Sequence, residues 1–294
     1  MKIVRLGNTE SHLMLVNYIL KNGNEITEIK QQLSSMFLSF MKWAYKTGGY
    51  YDKDIKCHIS QLNYSGMTKK FMRFVNDLYE CIGNCHETQY YLGDNMNPIF
   101  DKYKDAICKK YNITNLKSMN GSHIYDRIES IFEFIKDKKV LVISSFDGLI
   151  EQQYKSGNLN KIHPFEFPNI KDLKTIKFPY CFSNTGPHED FHETMQNCFE
   201  EIKKIDFDIA LLGCGCYGHK LCHLIDSELK KDAIYLGGSI QSFFGILSTR
   251  EKNFCSRTGQ PSKGNFNYNE HWITEIPVEF RPTNYKDVEV GCYW

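Results

Sequence analysis

Four groups of residues in this chain have types and spacings that could do chemistry. The first is Gly213-Cys-Gly215-Cys-Tyr-Gly218, a G-x-G-x-x-G run. Where such glycines join a strand to a helix, backbone N–H groups approach a phosphate and the helix dipole favours the anion. A tight turn that only packs strand against helix gives the same pattern. The second is Arg5-Leu-Gly7-Asn8-Thr-Glu10, a guanidinium and a carboxylate around a strand end. It reads either as a phosphate- or metal-facing pair or as a first-turn Glu that stabilises a helix dipole, with Thr9 as N-cap. The third is His188-Glu189-Asp-Phe-His192, which matches H-E-x-x-H. On a helix, that spacing offers two imidazoles to zinc and a Glu to activate water, although Pro187 places it at the very start of its helix. The fourth is Asp147 and Glu151 after the apolar run Val140 to Phe146. Either is a candidate general base toward an acceptor hydroxyl, or an ordinary first-turn acid. Cys57-His58 and Cys81-x-x-x-Cys85-His86 have loose spacing, and buried thiols account for them better than a metal site.

The elements that must position these groups alternate. Apolar runs at Lys2–Leu6, Val140–Phe146, Leu173–Phe178, Phe207–Leu212 and Ala233–Leu236 are short, as strands are, and each is closed by Gly, Asp or Pro. Between the last two, Leu221, Leu224, Ile225 and Leu229 recur at helical spacing up to Lys230-Lys231, which predicts one strand–turn–helix–strand unit over 207–246. Residues 25–135 read as mostly helical, with segments at 29–45, 69–81, 99–111 and 124–135, and a further helix is expected over 189–204. Alternating strands and helices predict an α/β, Rossmann-like fold with a mostly parallel sheet. We expect one domain over 1–294: a helical insertion or lobe at 25–135, the core at 136–250 and an irregular wrap at 251–294.

Composition narrows the function classes. In 294 residues the formal net charge is +1 and the Lys-Lys pairs are scattered, so no basic stripe supports nucleic-acid binding. No apolar run reaches membrane-spanning or signal-peptide length, and eleven cysteines without framework spacing suit reduced thiols, which together predict a cytoplasmic location. A dinucleotide site wants an acid at the end of the strand after the glycine turn; that strand instead ends Tyr235-Leu236-Gly237-Gly238, which argues against NAD.

Three segments, Val4–Glu10, Leu211–Ile246 and His271–Trp294 with its closing Val-Gly-Cys-Tyr-Trp, resemble in order and spacing the glycosyltransferases of the GT-D fold and their relatives in polysaccharide gene clusters. Residues 25–135 lie outside the resemblance. It implies transfer of a sugar from a nucleoside diphosphate sugar to a glycan or lipid-linked acceptor, with Mg2+ or Mn2+ held through an acidic-x-Glu motif. By position, Glu10 is the second acid of that motif, Arg5 and Gly7 flank it, and Asn8 stands where the first acid would be. Gly213, Gly215, Gly218, Gly237 and Gly238 are then expected beside the donor, with Glu10, Asp147 or Glu151 as catalytic carboxylate. A zinc hydrolase using His188, Glu189 and His192, and a non-catalytic nucleotide- or glycan-binding module, are the competing expectations.

Overall fold

A computed structural model describes residues 1–23, 27–53, 69–92, 96–118, 128–182, 185–258 and 268–294. Seven strands form one sheet: β1 (Lys2–Leu6), β2 (Glu87–Tyr90), β3 (Leu116–Ser118), β4 (Lys139–Ser144), β5 (Asp172–Lys177), β6 (Ile209–Gly213) and β7 (Asp232–Tyr235). Their order is β3-β2-β1-β7-β6-β4-β5, and every pairing is parallel. The fold is therefore α/β and Rossmann-like, as the alternation of elements predicts.

Parallel strands need crossovers, and the crossover helices cover both faces of the sheet. Successive residues on each inner strand feed opposite cores. Val4, Leu6, Leu141, Ile143, Ala210 and Leu212 pack on one side, against helices α1 (Asn8–Asn22), α2 (Thr27–Trp43), α3 (Lys69–Ile82), α8 (Phe191–Lys203) and α9 (Gly218–Ser227). Ile3, Val140, Val142, Ile209 and Leu211 pack on the other side, against α5 (Ile128–Ile135), α6 (Asp147–Lys155), α7 (Leu159–Ile162), α10 (Ser239–Phe243) and the C-terminal segment. This two-sided burial is why β4 and β6 read as continuous apolar runs rather than alternating ones.

The N-terminal half is mainly helical, including α4 (Asn97–Tyr111), but it also supplies β2 and β3, which extend the sheet beyond β1. Residues 124–127 of the helix expected over 124–135 lie outside the described residues, as does Cys57-His58. The C-terminal segment is less irregular than expected, because α11 (Thr249–Thr258) begins it before the chain turns to short 3-10 turns. Among the described residues, nine cysteines are free thiols and no helix is long and apolar enough to cross a membrane.

Candidate functional site

The strand order reverses at β1. The chain moves from β1 outward to β2 and β3, then returns on the other side through β4, β5, β6 and β7. In open parallel sheets, ligands bind beyond the carboxyl ends of the strands at such a reversal. A cleft of about 560 Å³ lies there. It is lined by residues following β1 (Gly7, Asn8, Thr9, Glu10), β2 (Tyr91), β4 (Ser145, Phe146), β5 (Phe178 to Phe182), β6 (Gly213 to Tyr217) and β7 (Tyr235, Gly237, Gly238), with Arg5 among them.

Helix α1 starts earlier than Thr9 predicts. Gly7 is the N-cap, and Thr9 lies inside the first turn. The Glu10 carboxylate turns back toward the Gly7 and Glu10 backbone N–H groups, as the N3 acid of a capping box does. A Cβ at Gly7 would stand 2.7 Å from Glu10 Oε2, so glycine is what lets that carboxylate approach. Burial raises the Glu10 pKa; those two N–H groups and the nearby Arg5 charge oppose the rise without cancelling it. Arg5 reaches across the reversal, its Nη1 donating to the Leu236 carbonyl at 3.2 Å.

The glycine run follows β6 and opens α9 through a 3-10 turn, Gly215–Tyr217. Its three glycines are matched to groups of the protein itself. A methyl at Gly213 would lie 2.3 Å from Ile240 Cγ2, one at Gly215 would lie 2.5 Å from the Gly48 carbonyl oxygen, and one at Gly218 would lie 2.2 Å from the Tyr235 ring. Tyr235 closes the turn from below by donating its hydroxyl to the Gly215 carbonyl at 2.7 Å. Gly215 and Gly237 also hold positive φ, +57° and +60°, where a side chain is strained. Close packing thus accounts for the spacing, and Gly213 and Gly215 still present backbone to the cleft.

Of the residues singled out from sequence, Arg5, Gly7, Asn8, Glu10, Gly213, Gly215, Gly237 and Gly238 line this cleft. Gly218 sits beneath the turn against Tyr235. Asp147 begins α6 just behind the cleft-lining Phe146, close enough for its charge to act on Tyr180. Glu151 lies one turn further along and is engaged elsewhere: Lys155 Nζ donates to it at 2.7 Å and Thr175 Oγ1 at 2.6 Å, which lowers its pKa.

The H-E-x-x-H residues do not share a helix. Asp190 is the N-cap of α8, accepting from the Glu193 N–H at 3.0 Å, so His188 and Glu189 precede the helix. His188 Nδ1 lies 2.9 Å from Thr194 Oγ1, while His192 Nε2 donates to the Lys70 carbonyl at 3.1 Å. The i, i+4 stacking that zinc needs is therefore not formed.

Sequence reasoning missed Trp43 and Thr47 to Gly49 beyond α2, Pro179 to Phe182 beyond β5, and Arg250, Tyr293 and Trp294. The Gly48-Gly49 pair after an apolar helix, and Pro179 at a strand's carboxyl end, were the available signals. Three cysteines line the cleft, Cys181, Cys214 and Cys216, and burial pushes all three thiols up, Cys181 to about 12. None offers a thiolate at neutral pH.

As a donor set for Mg2+ or Mn2+, this region is thin. Among the described residues no three His, Cys, Asp or Glu are grouped to hold a metal ion. Glu10 offers one carboxylate, already receiving backbone N–H groups beside Arg5, and Asn8 one neutral amide. Six oxygen ligands around a hard cation do not follow from these residues, and no step below is routed through a metal.

Fold and cleft together define a Rossmann-like α/β protein with a ligand-sized crevice at the reversal of its parallel sheet. No family model, curated protein or solved structure matches the chain.

Proposed function

We propose that this chain is a glycosyltransferase-like enzyme that moves a sugar from a nucleoside diphosphate sugar to a glycan or lipid-linked acceptor. The observation that carries the reading is the convergence of Arg5, Glu10 and Arg250 on one cleft with the backbone of Gly213, Gly215, Gly237 and Gly238. Two guanidinium groups suit a diphosphate, since Arg presents a planar fork of donors to phosphate oxygens. As the acceptor oxygen bonds to the anomeric carbon, the bond from that carbon to the diphosphate oxygen breaks and its electron pair leaves with the nucleoside diphosphate. Arg5 and Arg250 stabilise that charge. The acceptor's proton passes to Glu10, the one carboxylate among Glu10, Asp147 and Glu151 that lines the cleft. Its raised pKa makes it a better base than an exposed Glu.

A non-catalytic nucleotide- or glycan-binding module is the second reading, and the engagement of the Glu10 carboxylate by backbone N–H groups is what favours it. A thermal-shift screen over nucleoside diphosphates and nucleotide sugars, with and without Mn2+, tests both. The transferase reading expects stabilisation together with slow donor hydrolysis; a binding module shows the first without the second. No stabilisation by any nucleotide or nucleotide sugar would sink the transferase and the nucleotide-binding module alike, leaving only the glycan-binding form of the second reading.

Glu10→Gln separates role from scaffold. Glutamine keeps an oxygen for the Gly7 N–H, so melting at pH 7 should be no lower than for the parent. Because folding raises this acid's pKa, the charged form opposes folding above the window between the unfolded and folded values, and the amide removes that cost. Donor turnover should fall by at least about a hundredfold, the usual worth of a positioned general base. Unchanged turnover would remove Glu10 from the chemistry.

A further inference from the structure

We infer that Trp43 and Tyr91 form a stacking platform for a saccharide ring of the acceptor, at the mouth of the cleft; this rests on the transferase reading above. Both residues line the cleft, yet Trp43 is 47% exposed and Tyr91 38% exposed, among the most exposed large apolar side chains described. Aromatic surface left in water at a concave site is the unusual case, and it marks a place where a ligand completes the burial.

The backbone at Trp43 points the same way. Helix α2 ends at Trp43 and passes into a π-helical turn, Ala44–Gly48, closed by Gly49 at φ +84°. Such turns are rare and recur at functional sites. Here the turn brings Thr47 into the cleft and ties it to the platform, Thr47 Oγ1 donating to the Trp43 carbonyl at 2.9 Å. Tyr91 arrives independently, from the end of β2, on the far side of β1 from β7 and β6. Its own N–H is held by Ser11 Oγ at 3.2 Å.

The neighbours fit a sugar. Asn8, Thr9 and Thr47 line the same cleft and are neutral hydrogen-bonding groups. A pyranose has an apolar C–H face to lay on an aromatic ring and hydroxyls at its rim for such groups. An acceptor glycan or lipid-linked chain must also run out of the cleft, which suits a platform that is open to solvent.

Fluorescence reads the platform directly. The chain has three tryptophans, and the other two, Trp272 and Trp294, are 4% and 7% exposed, so Trp43 carries the long-wavelength, quenchable emission. Methyl glycosides of the common hexoses and N-acetylhexosamines, and their disaccharides, serve as probes, with uridine, guanosine, adenosine and cytidine diphosphates as the donor-side control. At least one glycoside should quench this emission. Tyr91→Ala should weaken that binding on the order of tenfold, the scale expected for one lost aromatic contact. Trp43→Phe should keep glycoside-dependent thermal stabilisation and Trp43→Ala should lose it. Stabilisation by nucleoside diphosphate should be the same in all three variants. If no glycoside quenches the emission, the platform is overturned; if Trp43→Ala weakens nucleoside diphosphate binding as well, the ring stacks a base and the inference is likewise overturned. Failure of every nucleoside diphosphate to stabilise the parent protein would instead remove the transferase reading.

Discussion

Gly218→Ala should destabilise the protein by about 3 kcal/mol or more, at the upper end of overpacking costs, and at the limit should prevent folding. The added methyl would lie 2.2 Å from both Cδ2 and Cε2 of Tyr235. That ring has little room to yield. It is buried, its hydroxyl is tied to the Gly215 carbonyl, and the imidazole of His219 lies stacked near it, with centroids 5.8 Å apart and planes at 18°. The check is the denaturant midpoint of the variant against the parent. A glycine kept for close approach of a phosphate would behave in the opposite way: alanine would leave the midpoint unchanged and weaken nucleotide binding. The comparison therefore decides what the third glycine of the run is for.

His219→Phe should stabilise the protein, and most strongly in acid. His219 is buried between Tyr235 and Phe74, and among the described residues neither ring nitrogen has a hydrogen-bond partner. Burial, with the neighbouring Lys220 charge adding to it, lowers its pKa to about 3. Below its ordinary value of 6.5 the unfolded chain takes up a proton that the folded chain refuses. The unfolded state then binds more protons, so stability falls as pH drops from 6.5 toward 3 and is intact above that window. The full loss from this one group is on the order of 5 kcal/mol at pH 3. His163, held down to about 4 chiefly by burial, tilts the same limb in the same direction. Phenylalanine keeps the ring, removes the unpaired nitrogens and should gain about 1 to 2 kcal/mol at pH 7. Midpoints measured from pH 7 to pH 4 should show a visibly flatter acid limb in the variant. Parallel limbs would mean that the imidazole is solvated or paired in solution.

Five strands are legible in the sequence to within about two residues: β4, β6 and β7 because their burial is apolar on both faces, and β1 and the largely exposed β5 because Gly7 and Pro179 close their short runs. β2 is buried along its whole length, yet its sequence is Glu-Thr-Gln-Tyr. The Glu87 charge is neutralised from outside any local window, by Lys117 of β3 at 2.8 Å, while Gln89 of the same strand donates to it at 2.7 Å. Hence residues 25–135 read as helical although they hold two strands.

The site is legible to a similar depth. Strand-end glycines with Arg5 and Glu10 are visible in the sequence because a carboxyl-edge site draws on known turns. The partners that give those glycines their purpose, Gly48 from a remote segment and Tyr235 and Ile240 from beyond the next helix, are not written in the spacing, which could not separate packing from phosphate approach. The H-E-x-x-H residues are split for a local reason, since Asp190 caps the helix between His188 and His192.

The seam between β1 and β7 has a further consequence, in the order of events during synthesis. β1 leaves the ribosome more than 200 residues ahead of its partner strand β7, with Lys2 opposite Ala233 and Ile3 opposite Ile234. The β1–β2–β3 side and the β4-to-β7 side can each gather their own neighbours before that pairing forms. The Arg5 contact to Leu236 cannot exist until it does, and neither can the floor of the cleft. A growing chain is therefore without a binding site until β7 has been made, and the step that completes the sheet also completes the site.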